Sequence, residues 1–153
     1  MADLYAISQA IAARFAAGVV TPPAGFQTIR MATANPPQAM PAQPAVIVFP
    51  DSGNVDELPS RAGTRVTTHA FTARFYYAQA GDLARDAVAL QKWTTVLIDQ
   101  LKGSVQLAGA IAYVTRVAVT GYKVGYLTYG GKDYSGVELS ITCVTSEPWA
   151  AVA

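Results

Sequence analysis

With 153 residues, 11 basic and 10 acidic side chains and a net charge of +1, the chain is sized for one domain around one core and lacks the charge excess that grips nucleic acid. Only 14% of residues are charged against 52% hydrophobic, a sparsely charged surface that suits contact with other proteins. The single cysteine, Cys143, excludes an internal disulfide framework and fits a cytosolic origin.

Asp3 can cap a first helix to about Ala17, with Leu4, Ile7, Ile11 and Phe15 at helical spacing and Gly18 as a stop. From Thr21 to Pro44 the composition turns to Pro, Ala, Thr and Gln, and only Phe26 to Ala32 reads as a strand. The uncharged stretch from Met31 to Pro50 is broken by Pro36, Pro37, Pro41 and Pro44, and no basic segment followed by an apolar run opens the chain. Neither a membrane helix nor a signal peptide is expected.

Pro44 to Pro50 is a short apolar strand bracketed by prolines, which cannot donate to a ladder. Asp51 to Gly63 then reads as a polar loop, long enough to be a contact element or simply mobile. Val66 to Ala78 is a long strand with His69, Phe71, Ala73, Phe75 and Tyr77 on its core face; Thr68, Thr72, Arg74 and Tyr76 face water or a partner. Asp82 caps a second helix to Lys102, striped with Leu83, Ala87, Leu90, Leu97 and Leu101, and Gly103 can end it.

Two strands close the chain, Ala112 to Val124 and Gly136 to Glu147, joined through Gly130-Gly131. In the last of them Val137, Leu139, Ile141 and Cys143 alternate toward the core. This order predicts an α+β fold: a mostly antiparallel sheet of four or five strands with two helices packed on one face.

The residues supply no catalytic, cofactor or metal constellation. His69, the only histidine, sits in a strand of aromatic periodicity without the nucleophile and carboxylate of a triad, and one His with one distant Cys cannot by themselves form a structural zinc site. No glycine-rich phosphate loop or dinucleotide fingerprint is present. Asp51, Asp56 and Glu57 lack the spacing of a hard-cation site and read as a solvated loop.

Tyrosine is the unusual residue, with Tyr113, Tyr122, Tyr126, Tyr129 and Tyr134 gathered around the final hairpin. Its apolar ring and polar tip suit interfaces. Tyr113 and Tyr122 equally fit half-buried strand positions; Tyr129 and Tyr134, flanking the turn, read as exposed contacts.

The helix, the Pro-Ala-Val-Ile-Val-Phe-Pro strand, the variable loop, the long strand, the leucine-striped helix and the hairpin ending Val-Glu-Leu-Ser-Ile-Thr-Cys-Val together resemble the tail terminator (tail completion) proteins of tailed bacteriophages. The resemblance spans nearly the whole chain and rests on the order of elements. It implies a virion protein, made in the host cytoplasm, that forms a homo-hexameric ring at the head-proximal end of the tail tube. Such a ring ends tube polymerisation and offers the surface that joins the head connector or neck, leaving room for genomic DNA to pass; it carries no catalytic residue.

Under that resemblance the candidate contacts are Arg61 and Arg65 of the loop, Arg74 and Tyr76 of the long strand, Tyr129, Lys132, Asp133 and Tyr134 around the turn, and Glu138 with Ser140 and Thr142 beyond it. Heterologous contacts that close on rotation need one patch on each side of the subunit. The stretch Pro36 to Pro44 is longer than a connection requires and either projects as an arm or packs locally. A head-completion or neck adaptor, one layer away in the same particle, and a small enzymatic or ligand-binding α+β domain are the competing expectations.

Overall fold

The Asp3 carboxylate accepts the Tyr5 N–H at 2.9 Å and so caps helix α1 (Leu4–Ala13), satisfying one of the amides a helix start leaves without a partner. The helix ends short of the expected Ala17. The N–H groups of Arg14 and Phe15 donate to carbonyls three residues back, tightening the last turn, and Gly18 at φ 81° then redirects the chain. The computed structural model describes residues 3–56, 64–79, 82–102, 111 and 113–148; Glu57, Arg61 and Gly103 lie outside these.

Among the described residues the other elements are β1 (Met31–Thr33), β2 (Ala45–Asp56), β3 (Thr64–Gln79), α2 (Leu83–Lys102), β4 (Val114–Tyr129) and β5 (Lys132–Pro148). They build one five-stranded sheet in the order β1-β2-β3-β5-β4, antiparallel except where β1 lies parallel to β2. The fold is α+β, as predicted. No helix among the described residues is long and apolar enough to cross a membrane.

Three further elements differ from expectation. Of the Phe26 to Ala32 segment only Met31 and Ala32 pair, in a strand that runs on to Thr33, because Ile29 and Phe26 turn into the helix-side core instead. The segment expected as a loop from Asp51 is strand as far as Asp56, where β2 continues past a bulge at Asp51 and pairs with β3 through Asp56↔Val66. The closing hairpin runs to its tip: Tyr129 pairs with Lys132, and Gly130 and Gly131 take positive φ values of 58° and 77°, the conformation a two-residue hairpin turn requires.

Both helices cover the same face of the sheet. Ile7, Ile11 and Phe15 from the first segment and Leu90, Trp93, Leu97 and Leu101 from α2 meet Val46, Val48, Phe71, Phe75, Val137, Leu139, Ile141 and Cys143 in one buried cluster. Alternation in β5 thus falls as predicted, and Cys143 is a buried thiol whose pKa burial pushes up to about 11. Trp93, at helical spacing between Leu90 and Leu97, has its ring 4.9 Å from that of Phe75 and is the largest fully buried side chain among the described residues.

The opposite face holds a second, smaller cluster of Ile47, Tyr76 and Tyr134, flanked by Met31, Met40, Phe49, Leu127 and Tyr129. The Pro-rich segment packs locally across it. The Tyr129 hydroxyl donates to the Pro37 carbonyl, Met40 sits against the tyrosines, and the Tyr5 hydroxyl donates to Asn35 Oδ1 at 2.9 Å from the side of α1.

Candidate interaction surface

Of the eleven residues singled out as contacts, Arg74, Tyr76, Tyr129, Tyr134 and Glu138 come together on the helix-free face, where Ser140 and Thr142 of β5 also lie. Two of the first five are not surface. Tyr76 is 1% and Tyr134 3% exposed, packed edge to face at a centroid distance of 5.5 Å, because the hairpin ladder reaches its tip and sets Tyr134 opposite Leu127 under the Pro-rich segment. The expectation of an exposed Tyr134 and a wet or partner-covered Tyr76 is therefore corrected: their cover is the chain itself. Burial raises the Tyr76 phenol above its usual pKa, against the lowering by Arg74.

Tyr129 is half-buried rather than exposed, with its ring 5.6 Å from Tyr76. Arg74 and Glu138 are register partners on β3 and β5, joined at 3.0 Å, and the guanidinium lies 5.2 Å from the Phe49 ring centroid. Each side chain is about a third exposed (37% and 33%), so the pair contributes at most about 1 kcal/mol. A shallow cavity of about 340 Å³ beside it is lined by Arg74, Lys123, Gly125, Leu127 and Glu138 among others.

Lys132 and Asp133 are exposed at the hairpin tip, where Asp133 accepts from the Thr128 hydroxyl at 2.9 Å. Arg65 is not in a loop. It belongs to β3, opposite Glu147, with a long 3.9 Å ion pair, and stands at the far end of the sheet from the hairpin tip. Close to it, His69 is buried with Nε2 3.3 Å from Thr145 Oγ1; burial lowers its pKa while Glu147 pulls the other way. No group of three or more His, Cys, Asp or Glu side chains among the described residues could hold a metal ion.

Two groups are not evident from the sequence. Asp86, in the first turn of α2, is 5% exposed: Arg85 holds it at 3.0 and 3.2 Å, and the Ser135 hydroxyl donates at 2.8 Å, tying α2 to β5. The signal for it is faint, since an acid in a first helical turn is ordinary. The hydrogen bonds from Arg85, with those from Ser135, outweigh burial and hold the Asp86 carboxyl below its usual pKa. A depressed folded-state pKa stabilises above the unfolded value and is lost as pH falls through the folded one. Asp86→Asn is accordingly expected to cost about 1–2 kcal/mol at neutral pH and to flatten the loss of stability on acidification below pH ~4; urea titrations at several pH values measure both.

The second group is the outer strand. β4 ends the sheet order, so no described strand pairs its other side, and it exposes Tyr122 (62%), Val124 (38%) and Tyr126 (54%) on the helix side of the sheet, next to the helix α2. Tyr126 reaches that helix, its hydroxyl accepting the Leu83 N–H at 3.0 Å. In the sequence Tyr122 and Tyr126 fall among the other hairpin tyrosines, and only a strand order shows which of them stand at an edge. No protein-family model matches the chain, and a search of curated proteins finds no match.

Proposed function

We propose that this chain is a structural virion protein of a tailed bacteriophage, the subunit of a hexameric ring that caps the head-proximal end of the tail tube, ends its polymerisation and receives the head connector or neck. The observation that carries the reading is the sheet's outer strand, β4: sixteen residues with no strand neighbour on one side among the described residues and large apolar side chains exposed along it. An edge this long is an aggregation hazard in a free monomer and an assembly surface in an oligomer. The element order that resembles tail terminators is kept in the fold, with β2 longer and the Pro-rich segment folded onto the sheet.

The chemistry expected of such a subunit is contact, not turnover. On the helix-free face Arg74 and Glu138 are paired with each other, and Tyr76, Tyr129 and Tyr134 are packed into the tyrosine cluster. The test is partner identity. Immobilised chain is expected to retain the tail-tube protein of the same virus; retention of portal or adaptor protein alone would favour the neck-adaptor reading and overturn this one.

A further inference from the structure

Resting on the ring reading, we infer that the occupant of the β4 edge is the outer edge of β2 in a second copy of this chain, so that one sheet continues antiparallel from subunit to subunit. β1 pairs with β2 only at Ala45–Ile47, leaving the run from Val48 to Asp56 without a described strand on that side. The chain thus carries two different open edges, as a heterologous contact requires.

Their charges are opposite. β4 holds Arg116 and Lys123 and no acid; β2 holds Asp51 and Asp56 and no base. Arg116, Lys123 and Asp51 are exposed, and none has an ion-pair partner among the described residues. Like edges would therefore repel, and unlike edges attract.

The strand faces then select a register. For the helix side of one sheet to continue into the helix side of the next, Tyr122 must stand opposite Gly53, which places Lys123 opposite Ser52 beside the bulged Asp51. On the far side of the β4 bulge, between Val119 and Gly121, Ala118 comes opposite position 56, with Arg116 one diagonal away.

At that register Tyr122 meets a cavity of about 370 Å³ beside the β2 edge, lined by Leu4, Pro50, Gly53, Thr67 and His69 among others. Gly53 presents no side chain to block the ring. Thr67 Oγ1, buried and without a hydrogen-bond partner among the described residues, lines the same cavity and can accept the phenol proton. A 62%-exposed tyrosine and a buried orphan hydroxyl thus complete each other across the contact.

Lys123→Cys and Ser52→Cys, both at exposed positions in a chain whose own Cys143 is buried, test the register by oxidative trapping of the full-length protein. A mixture of the two single variants is expected to give a covalent heterodimer, each alone to stay monomeric, and a chain carrying both to give a ladder of covalent oligomers. Adding Arg116→Glu to the double variant is expected to slow trapping about tenfold at low salt. Homodimers of Lys123→Cys alone, or no ladder from a double variant whose circular dichroism matches the parent, overturn the proposal. A ladder from a chain that does not bind tube ends removes the tail reading and leaves the edge pairing standing; tube-end binding without a ladder does the reverse.

Discussion

Trp93→Ala is expected to destabilise the fold by about 3–5 kcal/mol, a large share of the 5–15 kcal/mol or so that holds a domain together. Trp93 is 0% exposed, with its ring 4.9 Å from Phe75. Around it lie Leu90 and Leu97 of α2 and the inner residues of β3 and β5, so its removal opens a cavity where the helix meets the middle of the sheet. The collapse that could refill such a space is limited, because the strands are held by ladders on both sides. Trp93→Phe keeps most of the ring contact and removes an indole N–H that is buried without a partner among the described residues, and it is expected to cost well under half as much. Urea unfolding followed by far-ultraviolet circular dichroism measures both; a loss below about 1 kcal/mol for the alanine variant would show that α2 is not anchored through this side chain.

Gly136→Ala is expected to be comparably damaging, at about 3 kcal/mol. A methyl group there would overlap the carbonyl oxygen of Phe75 and come within 2.7 Å of Leu127 Cδ1. Leu127 can rotate away; the Phe75 carbonyl, held in the β3 ladder, cannot. The overlap arises where β3 bulges between Tyr76 and Ala78 against β5. Gly125, its register partner on β4, supplies the control, because a methyl group at that position would have no described atom within 4 Å. Gly125→Ala is expected to change stability by less than about 0.5 kcal/mol. Equal effects at the two glycines would mean that the close approach of β3 to β5 is not what demands glycine at position 136.

The core is legible in the sequence because it is periodic. Ile7, Ile11 and Phe15 at helical spacing, Phe71, Ala73 and Phe75, and Val137, Leu139, Ile141 and Cys143 at strand spacing all lie in the helix-side cluster. Asp3 and Asp82 are legible as caps for the same local reason, the latter accepting the N–H groups of Ala84 and Arg85 at 3.1 and 3.3 Å. What escapes depends on long-range pairing. Asp51 and its neighbours are polar with two turn-forming residues, Gly53 and Asn54, and nothing local reveals that they pair with β3 across a bulge. Tyr134 looks exposed beside a glycine turn, and only the fold of the Pro-rich segment onto the far face buries it.

The candidate surface follows the same division. Alternation assigns Arg74 and Glu138 each to the outward face of its strand, and they do lie there, but their pairing follows from β3 and β5 being neighbours, which alternation alone does not state. The edge position of β4 is likewise a property of strand order. Chain order would suggest β5 as the outer strand of the hairpin, yet β5 inserts between β3 and β4 and leaves β4 open. The hairpin tyrosines that look outward are therefore Tyr122 and Tyr126 of β4, with Tyr113 just before it, and not those beside the turn.

Electron microscopy of particles made without this protein tests its proposed role most directly. The account predicts tails of uncontrolled, excessive length that fail to join heads, with normal tails restored when the chain is supplied. Tails of normal, uniform length joined to heads in its absence would contradict it.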